Sequence, residues 1–61
     1  MKKRKALKLH HFESVKVRVD GSWEKGKVVG HSLYTMDEKH VHLYVIGERS
    51  GFMSVTHLDV R

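Results

Sequence analysis

The sequence predicts an all-β domain, a small and strongly bent five-stranded barrel that follows a flexible basic arm. Polar and apolar residues alternate in several short segments, glycine-containing turns separate those segments, and no segment of the 61 residues shows a long helical period. Five short strands in so short a chain must curve strongly to enclose a core. We therefore assign the arm to residues 1–13 and the barrel to residues 14–61.

The first two strands form a predicted hairpin. Valine alternates with charged residues through residues 15–19, which is typical of a strand with one buried face. Asp20-Gly21 follows and favours a tight turn, because glycine accepts positive φ and aspartate caps its own turn. The second strand extends from residue 23 to about residue 33, and its internal glycines, Gly26 and Gly30, indicate a bulge or a tight bend.

The second half of the chain repeats this pattern, with its clearest alternation in residues 40–46. The other predicted elements are a loop at 35–39, a hairpin turn at 47–51, a fourth strand at 52–56, a single turn at 57–59 and a short fifth strand at Val60. The inward positions predict a core of Val15, Val17, Val19, Val28, Leu33, Val41, Leu43, Val45, Met53, Val55, Leu58 and Val60. Before the first strand, Leu7, Leu9 and Phe12 fit either an extension of that strand or one helical turn.

Positive charge is concentrated at the start of the chain. The first eight residues contain five of the twelve lysines and arginines and no acid, so seven cations face seven acids in the rest. Such an arm suits phosphate contact, because each neutralised phosphate releases counterions; a solubilising, disordered terminus explains the same charge. The predicted nucleic-acid contacts are Lys2, Lys3, Arg4, Lys5 and Lys8 of the arm and Lys16, Arg18, Lys25 and Lys27 of the strands.

Aromatic residues offer a second kind of contact. Trp23, Tyr34 and Tyr44 form a predicted interaction surface, either for stacking bases or for holding a methylated cation. Tyr44 supports this hypothesis most, because alternation directs it away from the predicted core. For Trp23, the alternative is a hydrophobic lid on the barrel.

The sequence contains no recognisable catalytic constellation. Without cysteine there is no disulfide, no thiolate zinc site and no cysteine nucleophile, and no serine has a nucleophile-elbow context. His40 and His42 share one strand face and, with His31 or His57, could approach a metal ion, but without a third ligand a solvated sheet face is the preferred explanation. We predict no catalytic residue, no metal and no cofactor.

The spacing of the first hairpin resembles that of the SH3-like barrel group, particularly its Tudor and KOW members. The residues that carry this resemblance are Val17, Val19, Gly21, Trp23, Gly26 and Val28, together with the segment 51–58. The resemblance implies a non-enzymatic binding module, which reads nucleic acid in many KOW members and peptides in many Tudor members.

The plasmid-borne type II dihydrofolate reductases are also similar, through Trp23, Gly26 and Gly30. Those enzymes line their active pore with a Val-Gln-Ile-Tyr segment. Here the corresponding segment, 52–55, reads Phe-Met-Ser-Val and lacks both the glutamine and the tyrosine, so we do not expect the activity.

These observations predict a small module that binds DNA or RNA. The competing hypothesis is a protein-interaction adaptor that uses a strand edge or the Tyr44 face, and a third is homo-oligomerisation through open strand edges. No apolar run is long enough to span a membrane, so a soluble cytoplasmic protein without a membrane partner is the default expectation. The small, basic chain also suits an accessory protein of a phage or mobile element.

Overall fold

The computed structural model describes residues 1–32 and 39–61 and shows a mostly β fold, as the alternation predicts. Four strands form one antiparallel sheet in the order β1-β2-β3-β4. The elements are α1 (Lys3–Leu7), β1 (Ser14–Val19), β2 (Ser22–His31), β3 (His42–Gly47), β4 (Gly51–Thr56) and a 3-10 turn, η1 (His57–Asp59). Where a fifth strand was expected, the described residues show an isolated bridge between Val60 and Val17.

The turn between β1 and β2 is the one that Asp20-Gly21 predicts. Val19 pairs with Ser22, which leaves two residues in the turn, and Asp20 and Gly21 have φ values of 51° and 81°. Two consecutive positive φ angles match the right-handed twist of the flanking strands. The local sequence is therefore sufficient to set this register.

The glycines of β2 mark two departures from a regular strand. The register between β2 and β3 shifts between Val28 and Gly30, so the predicted bulge is confirmed there. At Gly26, a Cβ atom would lie 2.9 Å from Val45 Cγ1 and 3.1 Å from the Ile46 carbonyl oxygen. Glycine at this position lets β2 and β3 approach closely.

The core lies on one face of the sheet, called the inner face below. Its buried apolar residues are Ala6, Leu9, Val15, Val17, Val28, Val41, Leu43, Val45 and Val60. Of the predicted core, Val19, Met53 and Val55 are only partly buried and pack at its border. The prediction for Leu58 was wrong, because η1 turns His57 inward and leaves Leu58 56% exposed. Leu33 and nearly all of the predicted 35–39 loop lie outside the described residues.

The basic arm is folded against the inner face, which differs from the flexible arm that the sequence predicts. Of the two alternatives left open for this segment, the structure forms the helical turn, α1. Ala6 is fully buried, Leu9 is 6% exposed, and His31 Nε2 lies 2.8 Å from the Ala6 carbonyl oxygen. The small alanine side chain allows α1 to approach the sheet, while the lysines around it remain exposed.

A buried carboxylate joins β2 to the β3–β4 turn. Glu24 is on the inner face and 8% exposed, and it accepts hydrogen bonds from Arg49 N (2.9 Å), Ser50 N (3.0 Å) and Ser50 Oγ (2.7 Å). The Ser50 hydroxyl and the two backbone donors hold the pKa of the Glu24 carboxyl below its ordinary value of 4.5, against the opposing effect of burial. We call this group of contacts the Glu24 clamp.

The Glu24 clamp should make the folded protein less stable at low pH. Because the folded state favours the ionised carboxylate, its contribution is present above pH 4.5 and is lost as pH falls through the lowered pKa of the folded protein. Glu24→Gln should lower the melting temperature at pH 7, measured by circular dichroism. It should also remove much of the further decrease in melting temperature that the parent shows below pH 4.5. The control, Glu48→Gln, removes an exposed carboxylate from the same turn and should keep the acid dependence of the parent. Identical acid profiles for Glu24→Gln and the parent would contradict this role.

Candidate nucleic-acid interface

The face of the sheet opposite the core, called the outer face below, carries two rows of side chains, one of which crosses all four strands. In one row, Ser14 pairs with Lys27, Lys27 with Ile46, and Ile46 with Phe52. Because side chains alternate along a strand, residues paired in register lie on the same face. The row therefore places the backbone positions of Lys27 and Phe52 two strand spacings, about 10 Å, apart.

A second row on the outer face adds two more cations. Lys16 pairs with Lys25, and the Glu48 amide donates to the Lys25 carbonyl oxygen at 2.8 Å. An open groove lies between the two rows, and Lys16, Lys25, Lys27 and Glu48 are among its lining residues. All three lysines are exposed, and none of them forms an ion pair with the described residues. The groove thus brings three lysine ammonium groups together with the Glu48 carboxylate and Arg61.

The remaining strand cation of the prediction, Arg18, is already engaged. Its Nη2 and Nε donate to Asp59 Oδ1 at 2.7 and 3.1 Å. Trp23 pairs with Arg18 in the sheet and is half-buried, with the Arg61 guanidinium 4.1 Å from its ring centroid. The structure therefore places Trp23 under a cation at the edge of the outer face.

An aromatic pair stands on the other half of the outer face. The rings of Tyr44 and Phe52 have centroids 5.7 Å apart and an interplanar angle of 16°. Tyr44 is half-buried, whereas Phe52 is 67% exposed. The sequence interpretation missed Phe52, although alternation with the inward Met53 was the signal that could have found it. Tyr34, the third predicted aromatic contact, lies outside the described residues.

The arm cations do not share this surface. Because Ala6 packs into the core, α1 covers the inner face, and the basic residues around it are directed to solvent on that side of the sheet. The exposed arm residues are Lys2, Lys3, Arg4, Lys5 and Lys8. The structure thus divides the nine predicted phosphate contacts between two sides of the sheet.

The histidines approach one another near η1. The ring centroid of His40 lies 6.4 Å from that of His42 and 5.8 Å from that of His57. His57 is buried, and its Nδ1 accepts a hydrogen bond from the Val41 amide at 3.2 Å. Burial, followed by the nearby His40 and the N-terminal ammonium, lowers the pKa of His57. Within residues 1–32 and 39–61, no group of three or more His, Asp or Glu side chains could hold a metal ion.

Comparison with known proteins identifies no family for this chain, so a function can be argued only from the site. No protein-family model, curated protein or solved structure matches the chain. Among the described residues, no helix has the length and apolar character needed to cross a membrane.

Proposed function

We propose that this chain is a non-enzymatic module that binds nucleic acid through its outer face. The observation that carries the proposal is the exposed groove, where Lys16, Lys25 and Lys27 lie without ion-pair partners among the described residues. Three neighbouring ammonium groups form a surface that a polyanion can neutralise, with release of its condensed counterions. The exposed cations of the arm add attraction that does not depend on sequence or orientation.

Two features favour a polynucleotide over a small anion. The groove crosses three strands instead of ending in a closed pocket, so a long ligand can pass through it. The exposed Phe52 lies in the same row as Lys27, and a ligand with both phosphates and flat apolar rings would contact both residues. Nucleic acid has that combination of groups.

The dependence of affinity on salt tests this proposal. Contact with three phosphates should give a slope of about −2 for log K against log[salt] on single strands and about −3 on duplex. The exposed arm cations should make either slope steeper. We expect such slopes from fluorescence anisotropy with labelled DNA and RNA of mixed sequence at several salt concentrations. A slope near zero, or no binding at low salt, would contradict the proposal.

We further propose that the sheet closes as a five-stranded SH3-like barrel. The support lies in the segment after η1, which returns to the free edge of β1. There Val60 forms its bridge with Val17, and Lys16 and Arg61 exchange two backbone hydrogen bonds of 2.7 and 2.8 Å. A fifth strand at this edge would join β1 to the chain that follows β4.

The competing function is a protein-interaction adaptor, and the edge of β4 favours it. In the described part of the chain, β4 pairs with β3 alone, so one side of Gly51–Thr56 presents backbone donors and acceptors. An extended peptide, or the same edge of a second copy, could add a strand there. Light scattering of the purified protein measures its mass in solution. The mass of a dimer, together with no binding to polyanions, would favour this function.

A further inference from the structure

We infer that the outer face selects single-stranded nucleic acid over duplex, because Phe52 of the aromatic pair stacks on an unpaired base. This inference rests on the proposed function and specifies its ligand. It combines two observations, the exposure of the Phe52 ring and its position in register with Lys27.

The chemistry of the aromatic pair points to a planar ligand. Tyr44 and Phe52 lie nearly parallel, so Tyr44 supports one side of a stack that Phe52 can extend into solvent. A base offers a flat π face whatever its identity, so stacking at this position tolerates any sequence. In a duplex, each base face is covered by its neighbours, and an aromatic ring on a sheet surface has no access to it.

The position of the lysines fits the backbone of the same ligand. Lys27 is separated from Phe52 by one strand, and Ile46 lies between them as an apolar contact, 46% exposed. A strand whose base stacks on Phe52 can thus place a phosphate near Lys27 and continue along the groove toward Lys16 and Lys25. The charge of the groove complements that backbone, while its apolar end complements the base.

The shape of the outer face argues against reading a duplex. Duplex recognition normally inserts a helix or a two-stranded ribbon into the major groove. The outer face belongs to a four-stranded sheet, and the one α-helix among the described residues, α1, covers the inner face. Duplex can therefore contact the lysines through its phosphates but gains nothing from Phe52.

The test is substitution of Phe52, with affinities measured for a labelled single-stranded DNA of mixed sequence and for its duplex. Phe52→Ala should weaken single-strand binding by roughly fivefold to a hundredfold, which is the range expected for loss of one base stack. Duplex affinity should stay within about twofold of the parent, because phosphate contacts are unchanged. Phe52→Trp should restore single-strand binding, whereas Phe52→Leu, which keeps apolar area without an aromatic ring, should not.

The control variant is Leu7→Ala, which removes another exposed apolar side chain, on α1. It should leave both affinities unchanged, and circular dichroism should show every variant folded, since Leu7 and Phe52 are both exposed. Equal losses on single strand and duplex, or no loss on either, would overturn the inference while the proposed function stands. Failure of the parent protein to bind any nucleic acid would overturn the proposed function itself.

Discussion

Leu43→Ala should unfold a large fraction of the protein at 25 °C. Leu43, in β3, is fully buried on the inner face and is among the largest side chains with no exposure. Truncation of such a leucine typically costs about 2–5 kcal/mol, because apolar contacts are lost and a cavity remains. A core in a domain this small rarely supplies more than about 3–5 kcal/mol in total, so the loss is comparable to the whole stability. Urea titration followed by circular dichroism measures it.

Leu58 provides the matched control. The sequence predicts the same burial for both leucines, but Leu58 is 56% exposed on η1. Leu58→Ala should change the free energy of unfolding by no more than about 0.5 kcal/mol, the usual range for surface substitutions. Similar destabilisation by the two variants would mean that the Leu58 side chain packs against the core in solution, contrary to this structure.

The second large effect is on nucleic-acid affinity, which we expect to depend on the position of the lysines more than on the net charge. The triple variant Lys16→Gln, Lys25→Gln, Lys27→Gln should weaken single-strand binding at about 50 mM salt by on the order of a hundredfold and make the salt slope shallower by about 2. The physical reason is that these lysines line one groove without ion-pair partners in the described chain, so each can neutralise a phosphate. Anisotropy titrations at several salt concentrations measure both quantities.

A second triple variant carries the same charge change on the other side of the sheet. Lys2→Gln, Arg4→Gln, Lys5→Gln also takes the formal net charge from +5 to +2, since each set removes three charges. We expect less than half of the outer-face effect, because these residues lie around α1 on the inner side. Equal losses would show that net charge alone attracts the ligand, and a larger loss from the arm would move the site to α1. Deleting the arm would be uninformative, since Ala6 and Leu9 belong to the core.

Local patterns were sufficient for the sheet but not for what covers it. Alternation around Leu43 places this residue inward, and Asp20-Gly21 sets its own turn through positive φ, so both depend on neighbouring residues alone. The placement of α1 depends instead on a contact between Ala6 and His31, which are 25 residues apart. One turn of helix has too few residues to show a period, so the sequence left strand and helix open.

The buried polar groups were missed for a related reason. Glu24 shares the inward parity of Val28, yet a carboxylate at an inward position is acceptable only if distant donors satisfy it. Those donors are the amides of Arg49 and Ser50, 25 and 26 residues away, and the sequence around Glu24 does not predict them. At η1, the short 3-10 turn decides that His57 and not Leu58 is buried, and this choice depends on the partner at Val41.

The sequence indicates which cations lie on the outer face, but not which of them form ion pairs. Parity alone places Lys16, Lys25 and Lys27 together, as the structure does. It does not reveal that Arg18 is paired with Asp59, 41 residues along the chain. The same alternation places Phe52 on the outer face. Its stack with Tyr44 could not be inferred in this way, because the stack requires the register of β3 and β4.

The Glu24 clamp also constrains the chain next to the outer face. It holds the backbone amides of Arg49 and Ser50, which are three and two residues before Phe52. A carboxylate on the inner face therefore restrains the turn that leads into the strand carrying Phe52 on the outer face.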